Sequence, residues 1–169
     1  MNYGKTVFQH RRTEADCTVG FGIVMNCPCC DYSDTFLFGV GMMFPTEYQG
    51  IVEDVVSGKY GAEWKRLLEE DRGAVIHAGK ALYQCPGCHA LDTRTNLSIY
   101  TSTSGLPAKS YWPYWMESGY TLVKRYEHKC SVCSKTMIQV GDSEEIEQAE
   151  LPCPKCGAKL EIADRICWD

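Results

Sequence analysis

Hydrophobic and polar positions change period along this chain, and the changes divide it into elements. Over residues 36–43, Phe36, Phe38, Val40 and Met42 alternate with Leu37, Gly39, Gly41 and Met43, a period of two that predicts a strand with one bulky and one mixed face. From Thr46 the period lengthens. Tyr48, Ile51, Val52, Val55 and Val56 recur at helical spacing, Thr46 with Gln49 has the form of a capping box, and Ser57-Gly58 interrupts. A second short helix is predicted from about Gly61 to Glu70. Trp64, Leu67 and Leu68 form its apolar stripe, expected to pack on strands, while Glu63, Lys65, Arg66, Glu69 and Glu70 face water. After Asp71-Arg72-Gly73 the pattern is again strand-like, over residues 81–84, 97–100, 120–128, 135–140 and 158–166.

Several of these strands lead into cysteine pairs. Eight of the 11 cysteines form four pairs with two intervening residues: Cys27 with Cys30, Cys85 with Cys88, Cys130 with Cys133, and Cys153 with Cys156. Such a pair can fold into a knuckle that turns both sulfurs toward one ion while backbone N–H groups donate to them, and two knuckles complete a tetrahedral four-sulfur site. A disulfide framework has no reason to repeat the spacing, and a thioredoxin-like redox motif would need one such pair within a βαβ unit rather than four. Two Zn²⁺ ions are therefore the expected cofactors. Iron is the alternative, weakened because only Cys153-Pro154-Lys155-Cys156-Gly157 has glycine after its second cysteine.

The gaps suggest which knuckles share an ion. They are 54 residues (31–84), 41 residues (89–129) and 19 residues (134–152), and the last falls in the window of a zinc ribbon. The expectation is that the third and fourth knuckles share one ion, and the first and second the other. A cross-braced arrangement, first with third and second with fourth, stands as the alternative. The fold class is α+β: a small, mainly β protein of two zinc ribbons, the first carrying a helical insertion at about 45–72. The polar stretch TSTSGLPAKS at 101–110 marks a boundary. It divides an N-terminal ribbon (1–100) from a linker and aromatic segment (101–119) and a C-terminal ribbon (120–169).

The aromatic segment, Tyr111-Trp112-Pro113-Tyr114-Trp115-Met116, holds two of the four tryptophans. Such rings fill an irregular gap between two units, and the plug is the favoured reading. As an exposed surface, Trp112, Tyr114 and Trp115 beside Lys124 and Arg125 would instead stack on single-stranded bases or anchor a protein. Charge weighs against the bases. The chain has 17 basic and 22 acidic residues, net −5, and two zinc ions each held by four thiolates would take that to −9.

Other chemistry is sparse. Cys85-Pro86-Gly87-Cys88-His89 has the form of a haem-attachment site, but its loss would strand Cys27 and Cys30. Cys17, Cys29 and Cys167 stand outside the pairs, and Cys29 is placed to exchange with Cys30. His128, two residues before Cys130, is expected on a solvent-facing strand or as a donor to a thiolate. No nucleophile triad, phosphate loop or carboxylate pair appears, and four-cysteine sites leave zinc no open position, so no enzyme activity is expected. Nothing approaches a membrane span, and residues 1–16 are charged rather than apolar, so a cytoplasmic location is expected.

The paired knuckles, above all residues 130–168 with Cys153-Pro154-Lys155-Cys156-Gly157, resemble the zinc-ribbon (rubredoxin-like) superfamily. The whole chain looks like a group of small bacterial proteins with duplicated CxxC pairs and a helical insertion bearing a Gly58-Lys59-Tyr60-Gly61 turn. The resemblance carries over Cys27, Cys30, Cys85, Cys88, Cys130, Cys133, Cys153 and Cys156 as ligands and implies no activity. The expected function is that of a non-enzymatic protein-interaction module. A nucleic-acid-binding adaptor, or a rubredoxin-like electron carrier or thiol redox switch, is the alternative.

Overall fold

The computed structural model describes residues 20–41, 44–105, 119–141 and 143–168. It is mostly β. Strand β1 (Gly20–Asn26) and strand β2 (Ser33–Gly39) form an antiparallel hairpin whose tip is the first knuckle, with Ile23 opposite Phe36. Helices α1 (Phe44–Val56) and α2 (Ala62–Glu70) follow, then β3 (Ala74–Ile76), β4 (Lys80–Gln84), β5 (Leu91–Thr95) and β6 (Ile99–Ser102). After the aromatic segment come β7 (Tyr120–Lys124), β8 (Ile138–Gln139), the short helix α3 (Ser143–Gln148) and β9 (Glu161–Trp168).

Two sheets result. The larger runs β5-β4-β2-β1-β9, with β8 beside β4, and the smaller runs β3-β6-β7. Residues at opposite ends of the chain are thus neighbours, since Met25 pairs with Ile162 and Asn26 with Glu161. Ile23, Met25, Phe36, Phe38 and Leu82 bury their side chains with Ile146, Leu151 and Leu160 in the main core. A second core forms where α2 lays Trp64 on Ala74, Ile76, Leu97 and Ile99. As expected, the helix stripe packs on residues that flank the knuckles, Leu97 and Ile99 beyond the second and Tyr126 ahead of the third.

Several local expectations shift for identifiable reasons. Helix α1 begins two residues before Thr46, because Pro45 sits in its first turn, where a missing N–H costs nothing. Helix α2 starts after Gly61 at φ 101, a conformation that suits glycine. Leu97, expected within a strand, has φ 62, which breaks the extended backbone, so β6 starts at Ile99. Strand β1, not anticipated, contains Gly20 and Gly22, residues depleted in strands. A Cβ on Gly20 would come within 2.6 Å of Trp168, and one on Gly22 within 2.8 Å of Ile166, so the glycines admit β9. Met42, Met43 and the segment 111–116, with its expected role as a plug, lie outside the described residues.

His77, just after β3, gives one pH-dependent prediction. Burial lowers its pKa to about 4, against an ordinary value of 6.5. Between those values the unfolded chain binds a proton that the folded chain refuses. Its contribution is therefore complete above pH 6.5 and is lost as pH falls toward 4, about 2 kcal/mol between pH 6.5 and pH 5. His77→Gln should flatten that part of the stability profile in chemical denaturation. Identical slopes for variant and parent would refute the assignment.

Candidate metal centres

All four knuckles are built alike around the first cysteine, and the last three also close alike after the second. The first cysteine of each donates its backbone N–H across the turn, Cys27 to the Tyr32 carbonyl, Cys85 to Ala90, Cys130 to Lys135 and Cys153 to Ala158, at 2.7–2.9 Å. Its sulfur in turn accepts an N–H two residues on, from Cys29, Gly87, Val132 and Lys155 respectively, each at 3.4 Å. In the last three knuckles the residue after the second cysteine closes the turn with positive φ: His89 at 60°, Ser134 at 61° and Gly157 at 77°. Its N–H donates back to the first cysteine's carbonyl. His89 is therefore a turn residue, which accounts for the fragment that mimics haem attachment.

The strands gather the eight cysteines into two groups of four, each with its sulfurs within 4.8 Å of one another. The grouping is nested. Cys27 and Cys30 meet Cys153 and Cys156, while Cys85 and Cys88 meet Cys130 and Cys133. This overturns both the sequential pairing and the cross-braced alternative. The cause is strand pairing: β9 beside β1 carries the fourth knuckle to the first, and β8 beside β4 carries the third to the second. Each group joins a knuckle at a hairpin tip, β1–β2 or β4–β5, to one delivered from later in the chain.

The sulfur spacing tests whether a metal fits. Cys27 and Cys156 lie 3.4 Å apart, Cys30 and Cys153 3.7 Å, Cys85 and Cys133 3.3 Å, and Cys88 and Cys130 3.6 Å. A disulfide would need about 2.05 Å. Zinc at about 2.3 Å from each sulfur sets the edge of its tetrahedron at about 3.8 Å, so the donor set matches that ion's size and softness. All eight thiols are free.

Electrostatics gives the same account. Burial raises the Cys85 thiol, but the Gly87 and Cys88 N–H groups and neighbouring sulfurs outweigh it and bring it to about 6. Against burial likewise, the Cys29 N–H and the other three sulfurs bring Cys27 to about 7. Their companions go the other way. Although the Tyr32 N–H lowers Cys30 and the Ala90 N–H lowers Cys88, burial and three crowded sulfurs push each to about 12. Four thiolates at such distances repel, and a divalent cation among them removes the conflict.

Lysines lie across the knuckles as well. Lys155 of the fourth reaches Asp31 beside the first at 3.1 Å, and Lys135 after the third lies against Gly87 of the second, where a Cβ would meet its side chain at 2.5 Å. No sequence signal marked either contact. His128 departs from both of its expected settings: it is buried, its ring 4.5 Å from Tyr83 and 4.9 Å from Tyr126. Cys29 is exposed and its thiol stands outside the four-sulfur group. Cys167 is disulfide-bonded, and Cys17 lies outside the described residues. Of the aromatic and basic candidates, Trp112, Tyr114 and Trp115 also lie outside them. Arg125 is exposed, and Lys124 is held by both carboxylate oxygens of Glu63 at 2.6 Å. No protein family, curated protein or solved structure matches this chain.

Proposed function

We infer that the chain is a double zinc ribbon, one ribbon inserted within the other, and that it serves as a non-enzymatic interaction module for a protein partner. The observation that carries the metal-binding part is the pair of four-sulfur groups at tetrahedral spacing. Four protein ligands fill a zinc ion's coordination, which suits a structural rather than a catalytic role. A protein partner is favoured over nucleic acid because many described cations are already engaged. Lys124 binds Glu63, Arg94 binds Asp92, Lys155 binds Asp31 and Lys159 binds Glu150. Apolar side chains stand open instead, Val132 at 74% and Ile138 at 61% exposure, on the third knuckle and the strand that comes after it. Among the described residues, no helix is long and apolar enough to cross a membrane.

Elemental analysis of the purified full chain tests the metal reading, with two zinc ions per chain as the expected result. A colourless solution belongs with that result, since ferric iron in four-sulfur coordination is red. A single ion, or none with the thiols free, would defeat it. Iron in both sites would turn the reading to the electron carrier.

A further inference from the structure

We propose that metal at the Cys85–Cys88–Cys130–Cys133 centre holds the helical insertion in place, so that the α2 face docks or loosens with the occupancy of that centre. The proposal rests on the metal-binding reading above. Its basis is the extended strip from Lys124 to Cys130, whose alternate residues turn inward. Lys124 grips Glu63 and lies 5.6 Å over the Trp64 ring. Tyr126 meets Trp64 edge-on at 5.2 Å and Tyr60 at 5.8 Å. His128 lies between Tyr126 and Tyr83, and Cys130 is buried at the centre itself. Between them, Arg125, Glu127 and Lys129 are exposed.

The strip is tied at the centre from both sides. Tyr83 stands two residues before Cys85 and His128 two residues before Cys130, so the rings in contact belong to the two knuckles that share one ion. At its other end the strip covers the helix that closes the second core, where Trp64 also donates from Nε1 to the Leu97 carbonyl at 2.8 Å. An ion at the centre fixes Cys130 and hence the register of His128 and Tyr126. With no ion there, four crowded thiols no longer hold the two knuckles together, and the strip's grip on α2 weakens. The Cys27–Cys30–Cys153–Cys156 centre lies on other strands, and among the described residues no such strip joins it to α2. Coupling of this kind is reciprocal: whatever factor the ion contributes to docking, docking contributes to the ion's affinity.

The test uses the full chain loaded with zinc, hydrogen–deuterium exchange over residues 62–70, and peptide-resolved labelling of cysteines by N-ethylmaleimide under limiting EDTA. Cys133→Ser should raise exchange in α2 by about tenfold or more, while Cys156→Ser leaves it near the parent value. Tyr126→Ala keeps every ligand. It should speed labelling of Cys85, Cys88, Cys130 and Cys133 without speeding that of Cys27, Cys30, Cys153 and Cys156. Unchanged α2 exchange in Cys133→Ser would overturn the proposal. So would Tyr126→Ala labelling that accelerates equally in both groups, which reports general destabilisation, or in neither. The zinc count of the parent chain is measured separately, so failure of the metal reading is distinguished from failure of the coupling.

Discussion

Cys153→Ser is expected to remove one metal ion and to release β1 and β9 together. A structural zinc site contributes apparent binding energy on the order of 10–16 kcal/mol that exists only in the folded state, as much as or more than the 5–15 kcal/mol by which a domain is stable. The substituted knuckle is grouped with Cys27 and Cys30, 123 or more positions away, and not with the nearby third knuckle. Thiol labelling of the zinc-loaded variant should therefore expose Cys27, Cys30 and Cys156 while Cys85, Cys88, Cys130 and Cys133 stay protected. Protection of Cys27 and Cys30 with exposure of Cys130 and Cys133 would restore the sequential pairing. Near-UV circular dichroism should fall in parallel, because the main core, with Phe36 and Phe38, lies directly behind that centre and contains Cys27 and Cys153.

Leu82→Ala should cost about 3–5 kcal/mol, the range for a leucine deleted from a core that cannot collapse around the gap. Leu82 is fully buried in β4, in the core it shares with Ile23, Phe36 and Phe38, and its carbonyl accepts the Val140 N–H at 2.9 Å. Its position is unusual in serving both halves. The side chain packs behind the Cys27 centre, while its strand runs on into Cys85. Leu82→Met preserves volume and should cost less than about 1.5 kcal/mol. Guanidinium denaturation of the zinc-loaded proteins measures both, and a loss below about 1 kcal/mol for Leu82→Ala would show that the core repacks.

How far the fold could be read from the residues differs from element to element. Helix α2 was legible because Trp64, Leu67 and Leu68 fall on one face and Gly61 precedes it. The four knuckles were legible because metal geometry constrains the spacing itself. Strand β5, Leu-Asp-Thr-Arg-Thr, was not, since every residue in it is half-buried and no alternation survives. Strand β1 was hidden by glycines whose purpose is visible only with Trp168 and Ile166 of β9 in place. The grouping of the cysteines failed for an energetic reason. Closing the 122 residues between Cys30 and Cys153 rather than the 19 between Cys133 and Cys153 costs only about 1.6 kcal/mol more in chain entropy. Seven residues of β1 paired with β9, and the core they cover, outweigh so small a difference. Short gaps are thus a weak guide to metal partners wherever long-range strands can pair.

The nesting also sets a timetable for synthesis. The inner centre has all its ligands once Cys133 has left the ribosome, but the outer one must wait for Cys156, 126 residues after Cys30. At about 5–20 residues per second, Cys27 and Cys30 spend roughly 6 to 25 seconds as open thiols at the tip of an unfinished hairpin. Throughout that interval the first knuckle is free to meet oxidants, foreign metal ions or other nascent chains, with Cys29 adding a third thiol beside it. Strand β9, made after Cys156, is the one that ends this exposure.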